Sequence, residues 1–145
     1  MADKELIEHI DIAAQRVADS HAYLHIDDKT VELQRLDAQI ASPGFWGDAS
    51  HAQGVSKQAS NLRDVIAEYD GACALLDDVR AAAELAGEDE TFADEAQSLL
   101  AKLDEELDGL EVSSWFSGRF DAGDAILSVN PGSGGLEAQD WTEML

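Results

Sequence analysis

A seven-residue spacing runs through the middle of this chain. Val55, Leu62, Tyr69, Leu76 and Ala83 stand seven apart, with Ala59, Ile66 and Cys73 at the intermediate positions. A repeat of this kind lays apolar side chains along one stripe of an α-helix, the pattern of a coiled-coil seam. It predicts a helix from about Ala49 to Ala86, roughly 55 Å long at ~1.5 Å per residue, whose stripe needs a partner helix of similar length.

The partner follows at once. Gly87-Glu88-Asp89-Glu90 supplies a turn, after which Phe92, Ala96, Leu99, Leu103, Leu107, Leu110 and Ser114 repeat the three-and-four spacing. A short turn makes two such helices antiparallel neighbours. Ala59, Ala72, Ala82, Ala83 and Ala96 would let them approach closely, with Asp and Glu on the outer faces.

Upstream, Leu6, Ile10, Ala14, Val17 and Leu24 share one helical face. A second, short helix is expected from Asp27 or Asp28, whose carboxylates suit free backbone N–H groups, through Leu33, Leu36 and Ile40. Ser42-Pro43-Gly44 ends it, since proline disfavours helical geometry in its predecessor. In the loop that follows, Phe45 and Trp46 read as aromatic anchors for a helix end. Residues 1–116 are therefore expected to be an acidic helical domain, an antiparallel bundle built on a coiled-coil hairpin.

At Ser117-Gly118 the pattern changes. Ala125-Ile126-Leu127-Ser128-Val129 is β-prone and bounded by glycines and Pro131, and Glu137 to Leu145 is helix-forming with Trp141, Met144 and Leu145 on one side. A lone strand and half a helix make no core. Residues 117–145 are expected to be the beginning of a truncated α/β second domain, so the fold class is mainly α with the start of an α/β domain after it.

Charge narrows the partners. Lys and Arg total 9 against 31 Asp and Glu, a formal charge of −22. Direct DNA binding is not expected, because phosphate contacts need cationic donors. A basic or apolar partner surface is. The start Met1-Ala2-Asp3-Lys4-Glu5 lacks the basic and then apolar pattern of a leader, and no window of about 18 apolar residues occurs, so a cytoplasmic protein without a membrane segment is expected. Cys73, the single cysteine, has no internal disulfide partner and reads as a buried small hydrophobe.

No chemistry-bearing constellation emerges. Gly132-Ser133-Gly134-Gly135 lies between a strand-like run and a helix, where glycine loops approach phosphate, but no Gly-Lys-Ser/Thr follows and Glu137 and Asp140 would repel an anion. A tight structural turn is the better reading. Asp27-Asp28, Asp77-Asp78 and Glu88 to Glu90 lack the ligand spacing of a calcium loop and read as solvated helix faces. His9, His21, His25 and His51 offer no zinc pattern beyond the His21/His25 pair, and no nucleophile-and-base set can be assembled. No catalytic, cofactor-binding or metal-binding residue is expected, and the chain does not read as an enzyme.

Two stretches carry a family resemblance. One is Pro43-Gly44-Phe45-Trp46, preceded by Val31-Glu32-Leu33-Gln34-Arg35-Leu36. The other is Phe116-Ser117-Gly118-Arg119-Phe120-Asp121, then Ala125-Ile126-Leu127, then Gly132-Ser133-Gly134-Gly135-Leu136-Glu137-Ala138-Gln139-Asp140-Trp141, ending Met144-Leu145. Together they resemble the N-terminal portion of the bacterial codon-specific, class I peptide chain release factors, in particular the release factor 2 family, with departures at Pro131 and Leu136.

The resemblance implies a role in protein biosynthesis: translation termination by stop-codon-dependent release on the ribosome. It implies partners too, namely the ribosome near the stalk base and the GTPase release factor. The family's decoding Ser-Pro-Phe tripeptide and Gly-Gly-Gln loop lie beyond the matched stretch. The hairpin alone would equally fit a structural or adaptor coiled-coil protein. The segment from Gly132 to Trp141 separates the two readings, because an adaptor has no need of it.

Overall fold

The computed structural model describes residues 2–87, 89, 91–116 and 126–144. The chain divides into two units, Met1–Trp115 and Phe116–Leu145, each taken here by itself.

The first unit holds four helices: α1 (Ala2–Tyr23), α2 (Ile26–Ile40), α3 (Ala49–Leu85) and α4 (Thr91–Trp115). α1 and α2 meet at a tight corner where His25 takes a left-handed conformation, φ 53°. α2 therefore starts at Ile26 rather than at an aspartate cap. Asp27 and Asp28 fall inside its first turn, where carboxylates favour the positive end of the helix dipole. After α2, Gly44 at φ 83° makes the reversal into a 3-10 turn, Phe45–Gly47, and the Asp48 side chain caps α3 by accepting from the His51 N–H.

α3 is 37 residues long, yet no single partner runs its length: α4 has 25 residues and α2 has 15. The expectation of one equally long partner is corrected by two separate cores. In the first, Ala52, Val55 and Ala59 of α3 pack with Leu36 and Phe45. In the second, Ala72, Leu76 and Val79 pack with Ile10, Ala13 and Val17 of α1 and with Leu100, Leu103, Leu107 and Leu110 of α4. Between Ala59 and Ala72 no α3 residue is fully buried. A straight helix drifts ~20° per heptad against a seven-residue repeat, and here the drift coincides with a change of partner. Leu62, Tyr69 and Ala83 are accordingly half-buried, while Val79 and Ala82, off the predicted stripe, are buried. Cys73 is half-buried at the rim of the second core rather than inside it.

The hairpin turn is held by Asp89, whose carboxylate accepts from the Thr91 N–H at 3.0 Å and from the Thr91 hydroxyl at 2.8 Å. The Thr91 N–H, then its hydroxyl, hold that carboxyl below its ordinary range. Glu88 and Glu90, expected in the same turn, lie outside the described residues.

In the second unit the helix is α5 (Gly135–Met144). The strand expected over residues 125–129 is not found: Ala125 lies outside the described residues, and Ile126–Val129 form no regular structure. A β-prone run becomes a strand only when a neighbour supplies the opposing N–H and C=O groups, and none does among the described residues. No described helix is long and apolar enough to cross a membrane.

Candidate functional site

What the surface offers a partner is decided by where the cations go. Arg16 of α1 reaches α4, with its guanidinium 3.1 Å from Asp104 and 2.5 Å from Asp108, and Glu111 at 3.8 Å. The Asp108 hydrogen bond is the largest cause of a raised Arg16 pKa, with burial opposing it. Arg35 pairs with Glu32, Arg63 with Asp37 across α2 and α3, and Arg80 lies 4.0 Å from Asp77. Lys29 spends its ammonium on the Leu24 carbonyl at 2.5 Å. Most described cations are thus tied to the protein itself, and the face turned outward is carboxylate.

Within that face α3 and α4 leave a groove of about 540 Å³. It is lined by small residues, Ala67 and Gly71 on α3 and Gly109 and Ser113 on α4, together with the buried Leu110 and the carboxylate side chains of Glu68 and Glu106. A Cβ built on Gly71 or Gly109 meets nothing within 4 Å, so close packing inside this chain does not require glycine at either position. Glycine in a helix interior costs about 0.5–1 kcal/mol relative to alanine. Sequence reading passed over both positions because they lie off the apolar stripe. The available signal was glycines in uninterrupted helical patterns without a turn, a signal that Gly54 shares without lining the groove.

A second hollow adjoins the loop after α2, bounded by Trp46, Gln53, Ser56 and Lys57. The aromatic pair expected to anchor this loop divides its work: Phe45 is buried, whereas Trp46 is 68% exposed, edge-on to Phe45 at 5.1 Å. The Ser56 hydroxyl is buried there without a hydrogen-bond partner.

The histidines do not converge. His9 lies 2.9 Å from Asp104, His21 lies 3.2 Å from Asp27, and His51 is 2.9 Å from the Gln39 amide. His25 forms the corner before α2. Among the described residues no three His, Cys, Asp or Glu side chains gather as metal ligands would.

In the second unit the glycine loop has a steric explanation. A Cβ on Gly134 would sit 2.9 Å from the Ala138 Cβ, and Gly135 opens α5 at φ 71°. Both positions need glycine for the turn itself, with Glu137 in the first helical turn. Trp141 and Met144 project from α5, which buries none of its residues.

Residues 29–145 match the PCRF domain. The whole chain is 33% identical to a protein named peptide chain release factor 2 from Thermosipho africanus, of which it covers 39%. Over 110 residues it is 42% identical to one of the same name from Frankia casuarinae, covering 76% of this chain and 30% of that one. The corresponding protein of Yersinia enterocolitica is 36% identical over 134 residues, 91% of this chain and 37% of its own length. The chain therefore spans less than two fifths of the length of these curated relatives.

Proposed function

We propose that this chain, which belongs to the PCRF domain family, serves translation termination as the helical docking portion of a peptide chain release factor, in the cytoplasm. The observation that carries this is the reach of the family match over residues 29–145, which takes in most of α2, all of α3 and α4, and the glycine turn into α5. A coiled-coil adaptor would account for the hairpin but not for that last segment, and is not favoured.

Docking on the ribosome is supported by electrostatics. Neither a Ser-Pro-Phe nor a Gly-Gly-Gln tripeptide occurs in the 145 residues, so these residues would neither read a stop codon nor promote peptidyl-tRNA hydrolysis. What they carry is a net −22 and an outward carboxylate face. Such a field steers association with basic protein surfaces and repels bare RNA. The basic proteins of the stalk base and the GTPase release factor are the partners this reading selects. Residues 117–145 would be the opening of a second domain, to which the exposed Trp141 and Met144 belong.

The test is competition. Added in excess to a termination reaction driven by a complete release factor, the chain should sediment with ribosomes and slow peptide release, while releasing nothing alone. Failure to sediment would remove the docking role, and stop-codon-dependent release by the chain alone would refute this placement of the chemistry.

A further inference from the structure

We propose that the α3–α4 groove is the seat of a single arginine anchor presented by a basic helix of a partner protein. The inference deepens the docking reading above by naming the surface and the chemistry of its occupant. α3 contributes about one helical turn, residues 67–71, and α4 about two, residues 106–113, roughly 6 Å and 10 Å at ~1.5 Å per residue. Gly71 and Gly109 both line it and carry no Cβ, so a partner backbone can come closer there than at an alanine. The aliphatic stem of an arginine fits against Ala67 and the glycine backbone, and its guanidinium fork matches carboxylates such as those of Glu68 and Glu106. Neither glutamate forms an ion pair among the described residues.

Charge disfavours the other occupants. Nucleic acid would bring phosphates against the Glu68 and Glu106 carboxylates. A second copy would bring its own −22, and its Arg16, Arg35, Arg63 and Arg80 each already lie beside a carboxylate. Arginine, with tryptophan and tyrosine, is among the residues enriched where a few side chains dominate an interface. Of the three helix-interior glycines that packing within the chain does not require, Gly54, Gly71 and Gly109, the two that line the groove are explained by the approach of that partner.

The measurement is an amide NMR titration of the full chain with a blocked helical peptide of alanine and arginine, and separately with its lysine counterpart. Shifts should concentrate at Ala67, Glu68, Gly71, Glu106, Gly109 and Ser113, and the lysine peptide should bind more weakly. Glu68→Gln with Glu106→Gln, and separately Gly71→Leu with Gly109→Leu, should each weaken binding about tenfold or more without lowering the melting temperature. Shifts spread evenly over the acidic faces, or groove variants that bind as well as the parent, overturn the proposal. Should the leucine pair not fold, the glutamine pair and the parent shift map decide it. Ribosome sedimentation of the parent chain is read independently: its failure removes the termination reading, whereas the peptide data stand or fall on the groove.

Discussion

Tyr69 stands where α1 meets α3, with the His21 ring edge-on at 5.5 Å and the Cys73 thiol one turn further along the helix. The Cys73 thiol as hydrogen-bond partner, followed by burial, pushes the phenol from its ordinary 10.0 up to about 12. The folded state therefore holds the phenolic proton more tightly than the unfolded chain does. Linkage fixes the sign: this contribution to stability is fully present below pH 10 and is lost as pH rises from 10 towards about 12. The melting temperature should fall across that window, and Tyr69→Phe should flatten the fall. An unchanged alkaline slope in the variant would mean that other groups, such as Tyr23, raised mainly by burial, govern it.

The division of α3 between two cores predicts that they respond separately to damage. Leu36 packs with Phe45, Val55 and Ala59, whereas Leu103 packs among α1, α3 and α4. Truncating either to alanine should cost about 2–5 kcal/mol locally. Hydrogen exchange should show Leu36→Ala releasing α2 and the first turns of α3 while α1 and α4 stay protected. Leu103→Ala should release α1 and α4. Uniform loss of protection in both variants would mean that the long helix couples the cores into one unit. The helices themselves were legible in the sequence, because a repeat as regular as Leu103, Leu107 and Leu110 reports its own buried face. The handover at Ala59 to Ala72 was not, since periodicity records that a face is covered but not by which neighbour. The strand expected at residues 125–129 failed for a related reason: β-propensity in Ile126, Leu127 and Val129 states a preference that only a pairing strand realises. The groove was harder still, as Gly71 and Gly109 are far apart in the chain and acquire a common meaning only when the hairpin brings both to the same groove.

At the scale of the whole molecule, attraction and repulsion among charges compete, and their balance sets the response to salt. Ion pairs such as Arg16 with Asp104 and Asp108 hold α1 to α4, and each exposed pair contributes about 0.2–1 kcal/mol that salt weakens. Opposing them is the mutual repulsion of the unpaired carboxylates, since 31 acidic side chains face 9 basic ones. Repulsion acts over longer distances than paired contacts and is screened first as the Debye length shrinks from about 30 Å at 0.01 M to about 8 Å at 0.15 M. The excess of unpaired charge makes repulsion the larger effect, so the melting temperature should rise as sodium chloride increases over that range. Lowering the pH towards the sequence pI of about 4.1 should relieve the same repulsion while leaving the Asp89 cap in place, because that carboxyl is held below its ordinary 3.8 and the cap is lost only as pH falls further, through the depressed pKa. A melting temperature that falls with added salt at neutral pH would show instead that the Arg16 cluster and its fellow pairs outweigh the surplus charge. In that case the acidic face would be an internally neutralised surface, and the electrostatic steering on which docking depends would lose its source.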